Sequence, residues 1–77
     1  MNEQLLEIIN QVRLNKSLEP VPATLPAHRL REDLDFESLD LAELTVRIEE
    51  KFGVDVFADG LVHTIGEIEE KIGQTKR

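Results

Sequence analysis

The chain has no cysteine, no tryptophan and no tyrosine, and three phenylalanines are its only aromatic residues. Without cysteine, disulfides and thiolate metal sites are excluded, and a reducing compartment is the natural expectation. The two histidines, His28 and His63, lie 35 positions apart without ligand-like spacing, so no metal centre is expected. Nothing approaches a continuous transmembrane run. The start, Met1-Asn2-Glu3-Gln4, lacks the basic and apolar stretches of a signal peptide, which predicts a soluble cytoplasmic protein. Positive charge is also short. Sixteen acidic residues against nine basic ones leave a formal charge of −7, which argues against nucleic acid as a partner.

What is present is one domain, residues 1–77, near the size at which a single core is stable without staples. Its negative charge is concentrated. Residues 31–50 carry eight acids (Glu32, Asp33, Asp35, Glu37, Asp40, Glu43, Glu49 and Glu50) against Arg31 and Arg47, a local balance of 2 − 8 = −6. Such a stretch serves either as a solvated helix face or as a docking face for basic partners.

The apolar spacing predicts helices. Leu5, Ile8, Ile9 and Val12 fall at i, i+3, i+4 and i+7, giving a first helix over about residues 3–15, with Asn2 as its cap. Pro20, Pro22 and Pro26 then forbid a continuous helix, so residues 16–37 form a long connection. Val21, Leu25, Leu30, Leu34 and Phe36 anchor that connection to the core, Phe36 either plugging it or staying exposed. His28 to Arg31 are compatible with one helical turn.

A second helix follows, with Leu41, Leu44, Ile48 and Phe52 facing inward and Gly53 ending it in a left-handed conformation. Leu39, Ala42 and Val46 form another apolar strip, buried against the loop or contacting a partner. Val54-Asp55-Val56-Phe57 reads as an extended link, with a short helical turn near residues 57–62. Thr64 and Glu67 have the spacing of a capping box before a last helix striped by Ile65, Ile68 and Ile72 and ended by Gly73, with residues 74–77 fraying. The fold class is all-α: a small bundle of three to four helices, with a long loop between the first two and no credible strand pair.

Ser38 is the candidate functional residue. It lies at the junction of loop and second helix, where a hydroxyl serves as a helix cap or as an exposed site for modification beside free N–H groups. Action as a nucleophile would require a base and an oxyanion hole, for which a bundle this small has little room.

The stretch DLDFESLDLAELTVRIEEKFG, Asp33 to Gly53, resembles the acyl carrier proteins, whose signature is Asp-Ser-Leu at the start of an acidic second helix. The likeness extends to the first amphipathic helix, the proline-containing loop, Val-Asp-Val and the Thr-capped last helix. The resemblance implies a non-catalytic carrier modified on Ser38 with 4′-phosphopantetheine from coenzyme A by a phosphopantetheinyl transferase. It would hold acyl groups as thioesters for fatty acid, polyketide or related lipid biosynthesis.

It further implies that the second helix is the recognition helix, with Glu37, Leu39, Asp40, Glu43, Val46, Glu49 and Glu50 meeting acyl-transferring or synthase enzymes that bear basic docking patches. The carrier is expected to be a monomer. An acyl chain entering between the helices would involve Leu44, Val46, Val62 or Ile65. Glu37 departs from the family's aspartate before the serine, Asp35-Phe36 from a common glycine-containing pair, and Arg47 and Lys51 from a uniformly acidic helix. These departures point to a specialised carrier. The alternatives are an aminoacyl or D-alanyl carrier on the same arm, and an unmodified acidic helical adaptor for a basic partner.

Overall fold

In the computed structural model the described residues are 3–58 and 60–75, of which 74 and 75 are described by backbone alone. Three helices follow one another: α1 (Glu3–Asn15), α2 (Ser38–Phe52) and α3 (Ile65–Thr75). Each forms where its apolar stripe predicts. Leu5, Ile9 and Val12 of α1, Leu41, Leu44 and Ile48 of α2, and Ile65, Ile68 and Ile72 of α3 are all buried in one cluster. Ile8 and Phe52 lie partly buried against it. Among the described residues no helix is long and apolar enough to cross a membrane.

The helix ends follow local chemistry. The expected cap Asn2 lies outside the described residues. Past the end of α1, Ser17 takes a left-handed φ of 66°, and the Leu18 N–H returns to the Arg13 carbonyl. At the end of α2, Gly53 adopts φ 73°, and its N–H closes on the Glu49 carbonyl, the left-handed stop that glycine makes without strain. Thr64 and Glu67 form the expected capping box: Thr64 N–H donates to Glu67 Oε1 at 3.0 Å, and Glu67 N–H donates to Thr64 Oγ1 at 3.2 Å. Gly73 does not end α3, which continues to Thr75. One glycine costs a helix only about 1 kcal/mol and is not by itself a stop.

The long connection, residues 16–37, is irregular but pinned at both faces. Toward α1, Asn10 pairs with both backbone groups of Val21, its Nδ2 donating to the carbonyl at 2.9 Å and its Oδ1 accepting the N–H at 2.7 Å. Arg13 donates to the carbonyls of Glu19 and Leu34. Toward the start of α3, Leu30 N–H bonds to the His63 carbonyl, Ile65 N–H to that of His28, and Gly66 N–H to that of Pro26. These contacts produce one isolated antiparallel bridge, Arg29 with Thr64, and no named strand among the described residues. Loop N–H and carbonyl groups thus find the partners that burial demands.

Leu30, Leu34 and Phe36 are the loop's buried anchors, Phe36 filling the core. Leu25 is not an anchor: it is 59% exposed, because the turn at Pro26 directs backbone groups toward α3. Residues 56–58 form a turn, closed by Ala58 N–H on the Asp55 carbonyl, so the described residues hold three helices without a short fourth.

Candidate functional site at the start of the second helix

Phe36 and Leu34 enter the core, and this pins the chain so that residues 37 and 38 emerge at the surface as α2 begins. Glu37 is the N-cap, extended at φ −103° and ψ 178°, and Ser38 is the first helical residue. Ser38 therefore does not cap the helix. Asp40, three residues past the cap, accepts the Glu37 N–H at 2.8 Å on Oδ2. The Ser38 side chain is exposed, and its Oγ accepts a hydrogen bond from Arg31 Nη2 at 3.0 Å.

A second cation supports the turn from beneath. Lys16, just past α1, donates to Asp40 Oδ2 at 2.7 Å and to the Asp35 carbonyl at 2.7 Å. Burial pushes the Asp40 carboxyl up, but the hydrogen bonds from Lys16 and the Glu37 N–H, with the charge of Lys16, outweigh it and leave its pKa lowered. In the loop before the helix, the hydrogen bond from Arg29 lowers the pKa of Asp33. Asp35 holds φ 61°, a left-handed conformation that Asp tolerates better than most residues with a Cβ.

Leu39, Glu43, Val46 and Glu50 fall at i, i+4, i+7 and i+11, one line down the side of α2 away from the core. Leu39 is 82% and Val46 54% exposed, so neither packs against the loop. Val46 accordingly does not line the space between helices, whereas Leu44, Val62 and Ile65 are buried there. Glu49 is exposed on the adjoining line with Ala42 and Ser38.

Three carboxylates of residues 31–50 are already engaged, Asp33 by Arg29 at 3.2 Å. Glu43 Oε2 accepts from Arg47 Nε and from Asn15 Nδ2, both at 2.9 Å, and Asp40 faces Lys16 with its side chain 14% exposed. Glu37, Glu49 and Glu50 are exposed. Arg31 and Lys16 were not singled out by sequence reasoning. The available signal was weak: a basic residue at the edge of an acidic run, and polar positions 10, 13 and 16 at a spacing of three, the last just past α1. His28 and His63 do not meet at this site through any hydrogen bond; His28 Nδ1 accepts the Leu25 N–H at 2.9 Å. Among the described residues no group of three or more His, Asp or Glu could hold a metal ion.

The described residues thus form a small helical bundle that exposes a serine at the start of an acidic helix. Residues 3–72 match the family described as "Phosphopantetheine attachment site". An acyl carrier protein of Rubrobacter xylanophilus is 31% identical over 70 residues, covering 91% of this chain and 85% of that protein. No solved structure gives a significant match. The chain belongs to the acyl carrier protein family of phosphopantetheine-bearing domains, whose prosthetic group is covalently attached 4′-phosphopantetheine.

Proposed function

We propose that this protein carries acyl intermediates as thioesters on a 4′-phosphopantetheine arm attached to Ser38, in fatty acid, polyketide or related lipid biosynthesis in the cytoplasm. The observation that carries the reading is the Ser38 hydroxyl: exposed, released from capping by Glu37, and in contact with a guanidinium. The residues present fit the group. A phosphodiester on Oγ would stand beside Arg31 and the first turn of α2, where N–H groups lack intrahelical partners. The arm's terminal thiol supplies the sulfur that a chain without cysteine lacks.

In this reading the protein is a monomeric, non-catalytic substrate of a phosphopantetheinyl transferase and of acyl-transferring or synthase enzymes with basic docking patches. Leu39 and Val46 form the apolar contacts of the docking face, and Glu37, Glu43, Glu49 and Glu50 orient the partner. Asp40 acts at the inner edge of that face, where with Lys16 it holds the turn that presents Ser38.

Intact mass after incubation with coenzyme A and a broad-specificity transferase tests the reading. Wild type gains one phosphopantetheine and Ser38→Ala gains none. A folded wild-type protein left unmodified by an active transferase overturns it in favour of an unmodified adaptor. Mass spectrometry of the protein from its native cell, with the thioester intact, identifies the cargo.

A further inference from the structure

Three cations on α2 or on the segments before it are committed to carboxylates: Arg29 to Asp33, Lys16 to Asp40 and Arg47 to Glu43. Arg31 is not. Its side chain is exposed, and its guanidinium donates instead to Ser38 Oγ. We propose that Arg31 is a positioning residue for the modification itself: it receives the phosphate of coenzyme A at Ser38 and afterwards pairs with the non-bridging oxygens of the phosphodiester. The inference rests on Ser38 being the attachment point.

The charge around the serine gives such a residue a role. Glu32, Asp33, Asp35 and Glu37 flank it in sequence, and coenzyme A is itself polyanionic, so approach opposes like charges. In the transfer, Ser38 Oγ forms a bond to the phosphorus that bears the pantetheine arm. The bond from that phosphorus to the oxygen of the ADP half breaks, and 3′,5′-ADP leaves with the electron pair. The serine proton passes to a basic group of the transferase. The non-bridging oxygens that carry the negative charge are bonded to that phosphorus, two bonds from the oxygen that Arg31 already contacts.

The Arg31 guanidinium offers five N–H donors, of which Ser38 engages one. The planar fork suits two phosphate oxygens, where a lysine would supply only a point charge. The arm would thereby be tethered at its base, with its free end directed from a fixed origin.

The test compares wild type, Arg31→Gln, Arg31→Lys, Ser38→Ala and Lys51→Gln, the last removing one positive charge from the far end of α2. Arg31→Gln should be modified about three- to fivefold more slowly, and Lys51→Gln at the wild-type rate. The deciding readout is the phosphorus NMR resonance of the modified full-length protein. Its shift should move in Arg31→Gln and lose the salt dependence seen in wild type, with Arg31→Lys regaining part of that dependence. A resonance that is the same in Arg31→Gln and wild type at every salt concentration overturns the proposal, whatever the rates. If Ser38→Ala still gains the mass, the attachment point itself is wrong. If Ser38→Ala is inert while Arg31→Gln matches wild type, only the role of Arg31 falls.

Discussion

Lys16 and Asp40, 24 positions apart, meet at 2.7 Å, and the same ammonium holds the Asp35 carbonyl. This pair joins the end of α1 to the first turn of α2 at the point where Ser38 is presented. Both side chains are largely covered, 24% and 14% exposed, so the bond is less screened than a surface pair. Lys16→Met should lower unfolding free energy by about 1 kcal/mol at neutral pH. The native pKa of Asp40 lies below its ordinary value of 3.8, so the unfolded chain binds the proton more readily. The contribution is thus complete well above pH 3.8 and is lost as pH falls through the lower native value. Urea midpoints of wild type and Asp40→Asn should differ most near neutrality and converge in acid; a gap that widens on acidification would contradict this.

Asp35 stands at φ 61°, where a Cβ normally costs about 1 kcal/mol and where glycine costs nothing sterically. Asp35→Gly should leave the urea midpoint near the wild-type value. Asp35→Ala loses the tolerance of aspartate for this conformation and should destabilise by about 1 kcal/mol. Lys16 binds the carbonyl rather than the side chain, so neither variant removes that hydrogen bond.

The exposed stripe of α2 lets the proposed docking role be tested apart from folding. Leu39→Ala and Val46→Ala remove side chains that the core does not use, and stability should change by less than about 0.5 kcal/mol. Loading by a partner enzyme should nevertheless slow. Glu49→Lys should slow it too, with a deficit that shrinks as salt rises because screening weakens exposed charge pairs. A deficit independent of ionic strength would leave the acidic face without a steering role.

Two glycines of α3 should respond oppositely to alanine. A Cβ on Gly66 would lie 3.1 Å from the Pro26 carbonyl oxygen and 3.2 Å from Pro26 Cβ, while Gly66 N–H bonds that same carbonyl. Gly66→Ala should therefore push the loop from α3 and cost about 1 kcal/mol or more. A Cβ on Gly73 meets nothing within 4 Å, and Gly73→Ala should raise stability by about 0.5–1 kcal/mol through helix propensity. Thermal melts of the two variants give the comparison directly.

The helices were legible because burial imposes a period. Leu41, Leu44 and Ile48 could not share one inward line by another regular geometry, and Thr64 with Glu67 marked where α3 begins. The site was legible only in part. Ser38 stood out through its place before an acidic helix, yet the cap proved to be Glu37. The expectation that Leu25 anchors the core fails, since an irregular loop has no repeating phase. Leu39 could not be assigned to core or surface by type alone, since a helix with two apolar strips has two candidate inner faces.

Local sequence, through periodicity, proline and capping chemistry, determined the three principal helices and placed a serine at the start of the acidic one. Only the tertiary structure decided which charges serve that serine. Ion pairs depend on distances across the fold, and sequence separation says nothing of them. Lys16 comes from α1's far end to hold Asp40, Arg29 is taken by Asp33, and Arg31 is left with its guanidinium on Ser38 Oγ.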